Sequence, residues 1–145
     1  MSVGFTIRSL AIGTLCLLSS LGVAQGEPVT TTVQVSMRDG IKLATDIYRD
    51  DAVARAPVVL TRTPYDRTKQ KAVAESWVKA GYVFVAQDCR GTRASEGVLA
   101  PYNNEGQDGY DTIEWITQQS WSNGRVGMVG GSYVGAVQWQ AAVEN

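Results

Sequence analysis

The sequence predicts an α/β fold, with an N-terminal hairpin leading into a mainly parallel sheet flanked by helices. Three observations point there. Two short apolar runs, residues 57–61 and 82–86, have the uninterrupted hydrophobicity of strands buried on both faces. Stretches with helical spacing separate these runs from each other and from a third one, residues 126–129. Strands that alternate with helices build a parallel sheet with helices on both sides. Finally, the third run ends in Gly130-Gly131-Ser132 and resumes as a helix-compatible stretch from Tyr133.

In chain order, residues 1–24 come first. They hold one charge, Arg8, an apolar run over 10–21, and small residues at Gly22 and Ala24. This is the pattern of a secretory signal peptide cut after Ala24. The run is shorter than the roughly 20 apolar residues that span a bilayer, so no membrane segment is expected once it is removed. Removal also takes Cys16, and the remaining cysteine, Cys89, then has no partner for an internal disulfide. The predicted location is secreted or periplasmic. The 13 basic and 14 acidic residues nearly cancel, which gives no basic surface for nucleic acid.

Residues 25–145 are expected to form a single domain, with 25–30 as a flexible lead-in. Residues 29–37 read as an edge strand, Arg38-Asp-Gly40 as a turn and 41–48 as its hairpin partner. A polar connection over 49–56 leads to the strand 57–61 and a loop over 62–68. A helix over 69–80 follows, placing Val73, Trp77 and Ala80 on one face, and Gly81 stops it. The strand 82–86 opens into a loop over 92–104. A helix over 107–119 should turn Tyr110, Ile113 and Ile116 inward, with Asp108, Asp111 and Glu114 in its first turns, where the helix dipole favours acids. A turn over 121–124 precedes the strand 126–129. Trp77, Trp115, Trp121 and Trp139 are expected in the core or between helices, and Cys89 as a small core residue.

The turn at residues 130–132 carries the chemistry. Two glycines between a strand and a helix mark a turn too tight for ordinary side chains. A serine at its tip has the placement of a nucleophile elbow, which presents Ser Oγ for acyl transfer. Ser132 is therefore the candidate nucleophile, and the backbone N–H of Tyr133, opening the helix, is a candidate oxyanion donor. The spacing departs from Gly-x-Ser-x-Gly, because Val134 stands where the second glycine is expected and Gly135 follows one residue later. On the turn alone, a phosphate-binding or purely structural glycine turn stays open.

Five blocks in order carry a resemblance: Arg38-Asp-Gly-Ile-Lys-Leu43, Thr61-Arg-Thr-Pro-Tyr-Asp66, Gln87-Asp-Cys-Arg-Gly91 with Ser95-Glu-Gly97, Asp111-Thr-Ile-Glu-Trp115, and Gly127-Met-Val-Gly-Gly-Ser-Tyr-Val-Gly135. Together they resemble the N-terminal part of the CocE/NonD hydrolases, the X-Pro dipeptidyl-peptidase-like (S15) group of the α/β-hydrolase fold. In that group the elbow reads Gly-x-Ser-Tyr-x-Gly, which the late Gly135 fits. The resemblance implies a serine hydrolase that works through an acyl-enzyme on a small ester, amide or peptide substrate: an esterase, an amino-acid ester hydrolase or an X-Pro dipeptidyl-peptidase. It implies no cofactor and no metal. It also assigns the Tyr65 hydroxyl as the second oxyanion donor. Asp88, Arg90 and Glu96, by contrast, are expected to form an ion-pair network that holds the loop beside the site.

The base is missing. The sequence contains no histidine, whereas in this fold the triad acid and histidine follow the serine. The expectation is therefore the N-terminal half of a catalytic domain, inactive by itself, with the triad Asp and His beyond Asn145. The alternative is a non-catalytic exported binding domain of the same fold.

Overall fold

The structure, a computed structural model, describes residues 28–144. The expected signal segment, 1–24, lies outside them, as do residues 25–27 of the lead-in; Val29 and Thr30 of the lead-in already belong to the first strand. The element order is β1 (Val29–Ser36), β2 (Lys42–Arg49), β3 (Ala56–Thr63), a single 3-10 turn (Arg67–Gln70), α1 (Lys71–Lys79), β4 (Val83–Asp88), α2 (Glu105–Thr117), β5 (Ser122–Met128) and α3 (Tyr133–Val143).

The five strands form one sheet in the order β1-β2-β4-β3-β5. β1 and β2 pair antiparallel, with Val29 opposite Arg49 and Ser36 opposite Lys42, as the hairpin pattern requires. The joining turn closes with Met37 N–H donating to the Ile41 carbonyl, and Gly40 takes φ 86°, a left-handed conformation that glycine adopts freely. β2 also pairs antiparallel with β4, while β3 runs parallel to both β4 and β5. The sheet is thus mixed, with its parallel part confined to β3, β4 and β5.

β3 and β4 are apolar over residues 56–60 and 83–86 because both of their faces are covered there, and turn polar at their ends. Val58, Leu60, Val83 and Val85 point to one side, where Ile47 and Ile116 of α2 complete a cluster. Val59, Phe84 and Ala86 point to the other, against Tyr48 and Ala74 and Val78 of α1. This is the period-two alternation of a pleated strand serving two cores. Each large side chain so buried contributes about 1.5–3 kcal/mol.

Four expectations are corrected here. The inward face of α1 carries Ala74 and Val78, whereas Val73 and Ala80 are exposed and Trp77 is half-buried. Asp66 accepts from the N–H and hydroxyl of Thr68 and so caps the 3-10 turn, which delays the α-helix to Lys71 and shifts its phase by one residue. The face of α2 turned to the sheet is largely polar: Glu105, Asp108, Gly109, Thr112 and Ile116 are buried, while Tyr110 and Ile113 are only half-buried. The cause is a buried arginine opposite it, described below. Trp139 is 77% exposed on α3 rather than in the core, although Trp115 and Trp121 do pack edge-to-face 6.0 Å apart. β5 begins earlier than expected, at Ser122, because Ala56 N–H bonds the Trp121 carbonyl and draws this segment onto β3.

Candidate active site

The site forms where β3, β4 and β5 end, the edge at which parallel sheets present their loops. At the end of β5, Val129 N–H still donates to the Leu60 carbonyl, and the chain then turns sharply. Gly130 sits at φ 133°, and a Cβ there would lie 2.1 Å from Cγ1 of Val134, so this position admits only glycine. Ser132 follows at φ 57°, ψ −129° and is exposed. A positive φ is rare for a residue with a side chain and stores about 1–3 kcal/mol of strain. Surrounding contacts hold it. The Ser132 carbonyl accepts from the N–H of both Gly135 and Ala136, and the Gln138 side-chain amide donates to the carbonyls of Gly130 and Val134.

A Cβ on Gly135 would lie 3.4 Å from the Gly130 carbonyl oxygen, an ordinary contact, so space alone does not demand the late glycine. Val134 occupies the position of the missing glycine and fills the space beside Gly130.

Tyr133 opens α3, so its N–H is among the amides for which a helix offers no internal acceptor. Its side chain is 8% exposed and points inward, where the hydroxyl donates to Oε1 of Glu105 at 2.8 Å. Burial, then the neighbouring carboxylate, push this phenol well above its usual range and keep it protonated. Tyr102 stacks on its ring at 4.6 Å and 29°. Tyr65, on the loop after β3, meets the same ring edge-on at 6.5 Å and 72°. Tyr65 is 56% exposed, and its N–H is fixed to Oγ1 of Thr63. Of the three expected site residues, Tyr133 follows Ser132 in the chain and Tyr65 meets Tyr133 through its ring, from the loop after β3. Together they offer an exposed hydroxyl, a helix-terminal amide and an exposed phenol.

Beneath them lies a charged core. Arg62 is fully buried at the end of β3; its Nε donates to Oε1 of Gln87 and its Nη1 to the Glu105 carbonyl, both at 2.8 Å. The same Nη1 lies 3.0 Å from the Glu105 carboxylate, and Nη2 lies 3.6 Å from Asp108. Asp108 is bound on its other side by Arg90, which also reaches Asp39 at 2.7 Å. The contact with Arg90 holds the Asp39 carboxyl below its usual range.

The expected network of Asp88, Arg90 and Glu96 is corrected accordingly, since these three do not pair with one another. Asp88 binds Arg67 at 2.6 Å, and Arg67 also reaches Asp46 at 3.1 Å. Arg90 joins the Arg62 cluster, and Glu96 accepts the N–H of Lys42. Arg67 takes Asp88, and Asp39 and Asp108 already occupy Arg90. Arg62, Glu105 and Tyr102 were not singled out from the sequence. The available signal was an arginine at the end of an apolar strand, a position with no solvent for its charge.

Cys89 is buried against Tyr133 and Val137, as expected of a core residue. Burial pushes its thiol far above the usual range, so it is a poor nucleophile. Among the described residues, no group of three or more His, Cys, Asp or Glu is placed to hold a metal ion.

Comparison with known proteins gives a consistent result. The sequence model of X-Pro dipeptidyl-peptidase (S15 family) matches residues 39–145. The cocaine esterase of Rhodococcus sp. (strain MB1 Bresler) is 46% identical over 121 residues, which cover 79% of this chain and 21% of that protein. An α-amino acid ester hydrolase structure superposes with a TM-score of 0.73 at 31% identity, covering 88% of this chain and 26% of the other. A CocE/NonD family hydrolase from Staphylococcus aureus does so with a TM-score of 0.73 at 32% identity, covering 81% and 25%. The chain thus spans between a fifth and about a quarter of the length of these relatives. It belongs to the X-Pro dipeptidyl-peptidase (S15) family and forms an N-terminal portion of that family's α/β-hydrolase fold.

Proposed function

We propose that this chain is the nucleophile-bearing part of an exported serine hydrolase that cleaves a carboxylic ester. The observation that carries the reading is the backbone of Ser132, a strained and exposed turn at the N-terminus of a helix. Ser132 Oγ attacks the substrate carbonyl carbon and its proton passes to a base. The carbonyl oxygen becomes negative and is held by the Tyr133 N–H and the Tyr65 hydroxyl. Each such donor lowers the barrier by roughly 3 kcal/mol. The oxyanion then collapses, the C–O bond to the alcohol breaks as the alcohol takes up the proton, and water releases the acid from the acyl-enzyme. The sequence contains no histidine, so the base and its orienting acid are assigned to the part of the hydrolase that these residues do not span. An ester is preferred over an X-Pro peptide because the relatives at 46% and 31% identity are named for ester cleavage.

A fluorophosphonate probe tests the serine. The full-length protein should be labelled at Ser132, and Ser132→Ala should stay unlabelled; equal labelling of both refutes the assignment. p-Nitrophenyl esters assayed beside an X-Pro p-nitroanilide test the substrate class, and faster turnover of the anilide would overturn the ester reading. Export rests on residues 1–24. The N-terminal sequence of protein recovered outside the cytoplasm should begin at Gln25.

The absence of histidine favours a second reading, a non-catalytic exported binding domain of the same fold. Under it, the full-length protein would bind esters without turning them over and would resist the probe.

A further inference from the structure

Glu105 is a carboxylate with no route to solvent. It is 3% exposed, begins α2, and accepts the Tyr133 hydroxyl at 2.8 Å. It is held in turn by Arg62, itself fully buried, whose Nη1 lies 3.0 Å from its carboxylate and donates to its backbone carbonyl. A buried tyrosine needs a partner for its hydroxyl, but a neutral acceptor would serve. For stability alone, a buried ion pair is no better than apolar side chains of the same volume. The charged pair is therefore poorly explained as packing, and its location is informative: the residue it grips is the one next to Ser132.

Through Tyr133 the grip extends to both candidate oxyanion donors. One is Tyr133's own N–H, which shares a peptide unit with Ser132. The other is the hydroxyl of Tyr65, whose ring rests edge-on against the Tyr133 ring. On the far face Tyr102 stacks, with its backbone at φ 65° and its carbonyl held by the Gln140 side-chain amide. The Tyr133 ring thus has the Glu105 carboxylate at its hydroxyl and contacts with two further aromatic rings. It cannot swing without moving the turn that carries Ser132.

We propose that Glu105 is a positioning residue for this elbow: braced by Arg62, it locks the Tyr133 ring and so sets the aim of Ser132 and of both oxyanion donors. The proposal rests on the serine-hydrolase reading above. Glu105 touches no reacting atom, so its contribution appears in the transition state and not in substrate binding.

The test uses the full-length protein and the variants Tyr133→Phe, Glu105→Gln and Ser132→Ala. Tyr133→Phe removes one oxygen and keeps the ring. Glu105→Gln keeps an acceptor oxygen facing the phenol. With a p-nitrophenyl ester, Tyr133→Phe should lower kcat about tenfold with KM within about twofold, a loss equal to one well-placed hydrogen bond. The rate of fluorophosphonate labelling should fall in parallel, while thermal melting shows the variant folded. Glu105→Gln keeps an acceptor but loses the charge that Arg62 braces, and should lower kcat about threefold to tenfold with KM little changed. The proposal is overturned by wild-type kcat in Tyr133→Phe, by a rise in KM alone, or by a loss no larger than the unfolded fraction. If Ser132→Ala still reacts with the probe, the serine reading fails and takes this one with it. If Ser132→Ala is silent while Tyr133→Phe behaves as wild type, positioning alone fails.

Discussion

Replacing Arg62 by methionine removes the buried positive charge beneath the site. Arg62 is fully buried and makes two hydrogen bonds at 2.8 Å, to the Gln87 side chain and the Glu105 carbonyl, besides its 3.0 Å contact with the Glu105 carboxylate. Methionine fills similar volume but removes the charge. Asp108 keeps a bidentate partner in Arg90, at 2.6 and 3.0 Å, so its loss is small. Glu105 keeps the Tyr133 hydroxyl but loses the Arg62 counter-charge. Stranding one member of a buried pair costs about 3–5 kcal/mol, a large share of the roughly 5–15 kcal/mol that holds a domain folded. Arg62→Lys keeps the charge but loses the fork that meets Gln87 and Glu105 together, and should cost about 1–3 kcal/mol. Adding Glu105→Gln to Arg62→Met removes the stranded charge and should restore at least about 1 kcal/mol. Urea unfolding of the full-length protein, followed by tryptophan fluorescence, measures all three. A loss under about 1 kcal/mol for Arg62→Met, or a double variant as unstable as the sum of the singles, would show that the cluster is not electrostatically coupled as described.

Three further outcomes are expected. Tyr65→Phe in the full-length enzyme should reduce kcat by about 10²–10³ with little change in KM, as loss of one oxyanion donor does; steady-state kinetics showing less than a threefold effect would remove Tyr65 from the site. Stability should fall above about pH 9. Burial raises the Cys89 thiol and the Tyr133 phenol above their ordinary values of 9.0 and 10.0, so the folded state holds these protons more tightly than the unfolded chain. Their contribution is complete below those values and is lost as pH rises, by up to about 1.4 kcal/mol per group per pH unit; urea midpoints at pH 8 and pH 10.5 measure it, and Tyr133→Phe should flatten the upper part. Residues 25–145 expressed alone should show no Ser132-dependent ester turnover, because a hydroxyl without a base stays protonated near neutral pH. Turnover at ordinary enzyme rates that vanishes in Ser132→Ala would mean a group other than histidine serves as the base.

Those features that depend on one element's own pattern were legible in advance. β3 and β4 are apolar because both of their faces are covered, and the hairpin announces itself through alternation around Gly40. The elbow shows as glycines between a strand and a helix, and the five blocks supplied what its irregular spacing withheld. Features that depend on distant partners were not legible. Arg62 and Glu105 lie 43 positions apart and meet only because β3 ends under the start of α2, so the sequence pattern accounts for Asp108 only as a complement to the helix dipole. Trp139 shows the converse. Its residue type suggested burial, but no described element covers that face of α3. The phase of α1 was lost to a side-chain cap, a local event that helical periodicity does not register.

The cluster of Cys89, Tyr133 and Val137 equips the molecule with a clock. Its sulfur is sealed by the first turns of α3 and is the one cysteine among the described residues, so a thiol reagent reacts there only when that seal opens. The modification rate therefore counts openings that expose the sulfur, movements of the elbow helix among them. Measured with and without an acyl group on Ser132, it would report how far the turn tightens as the protein works.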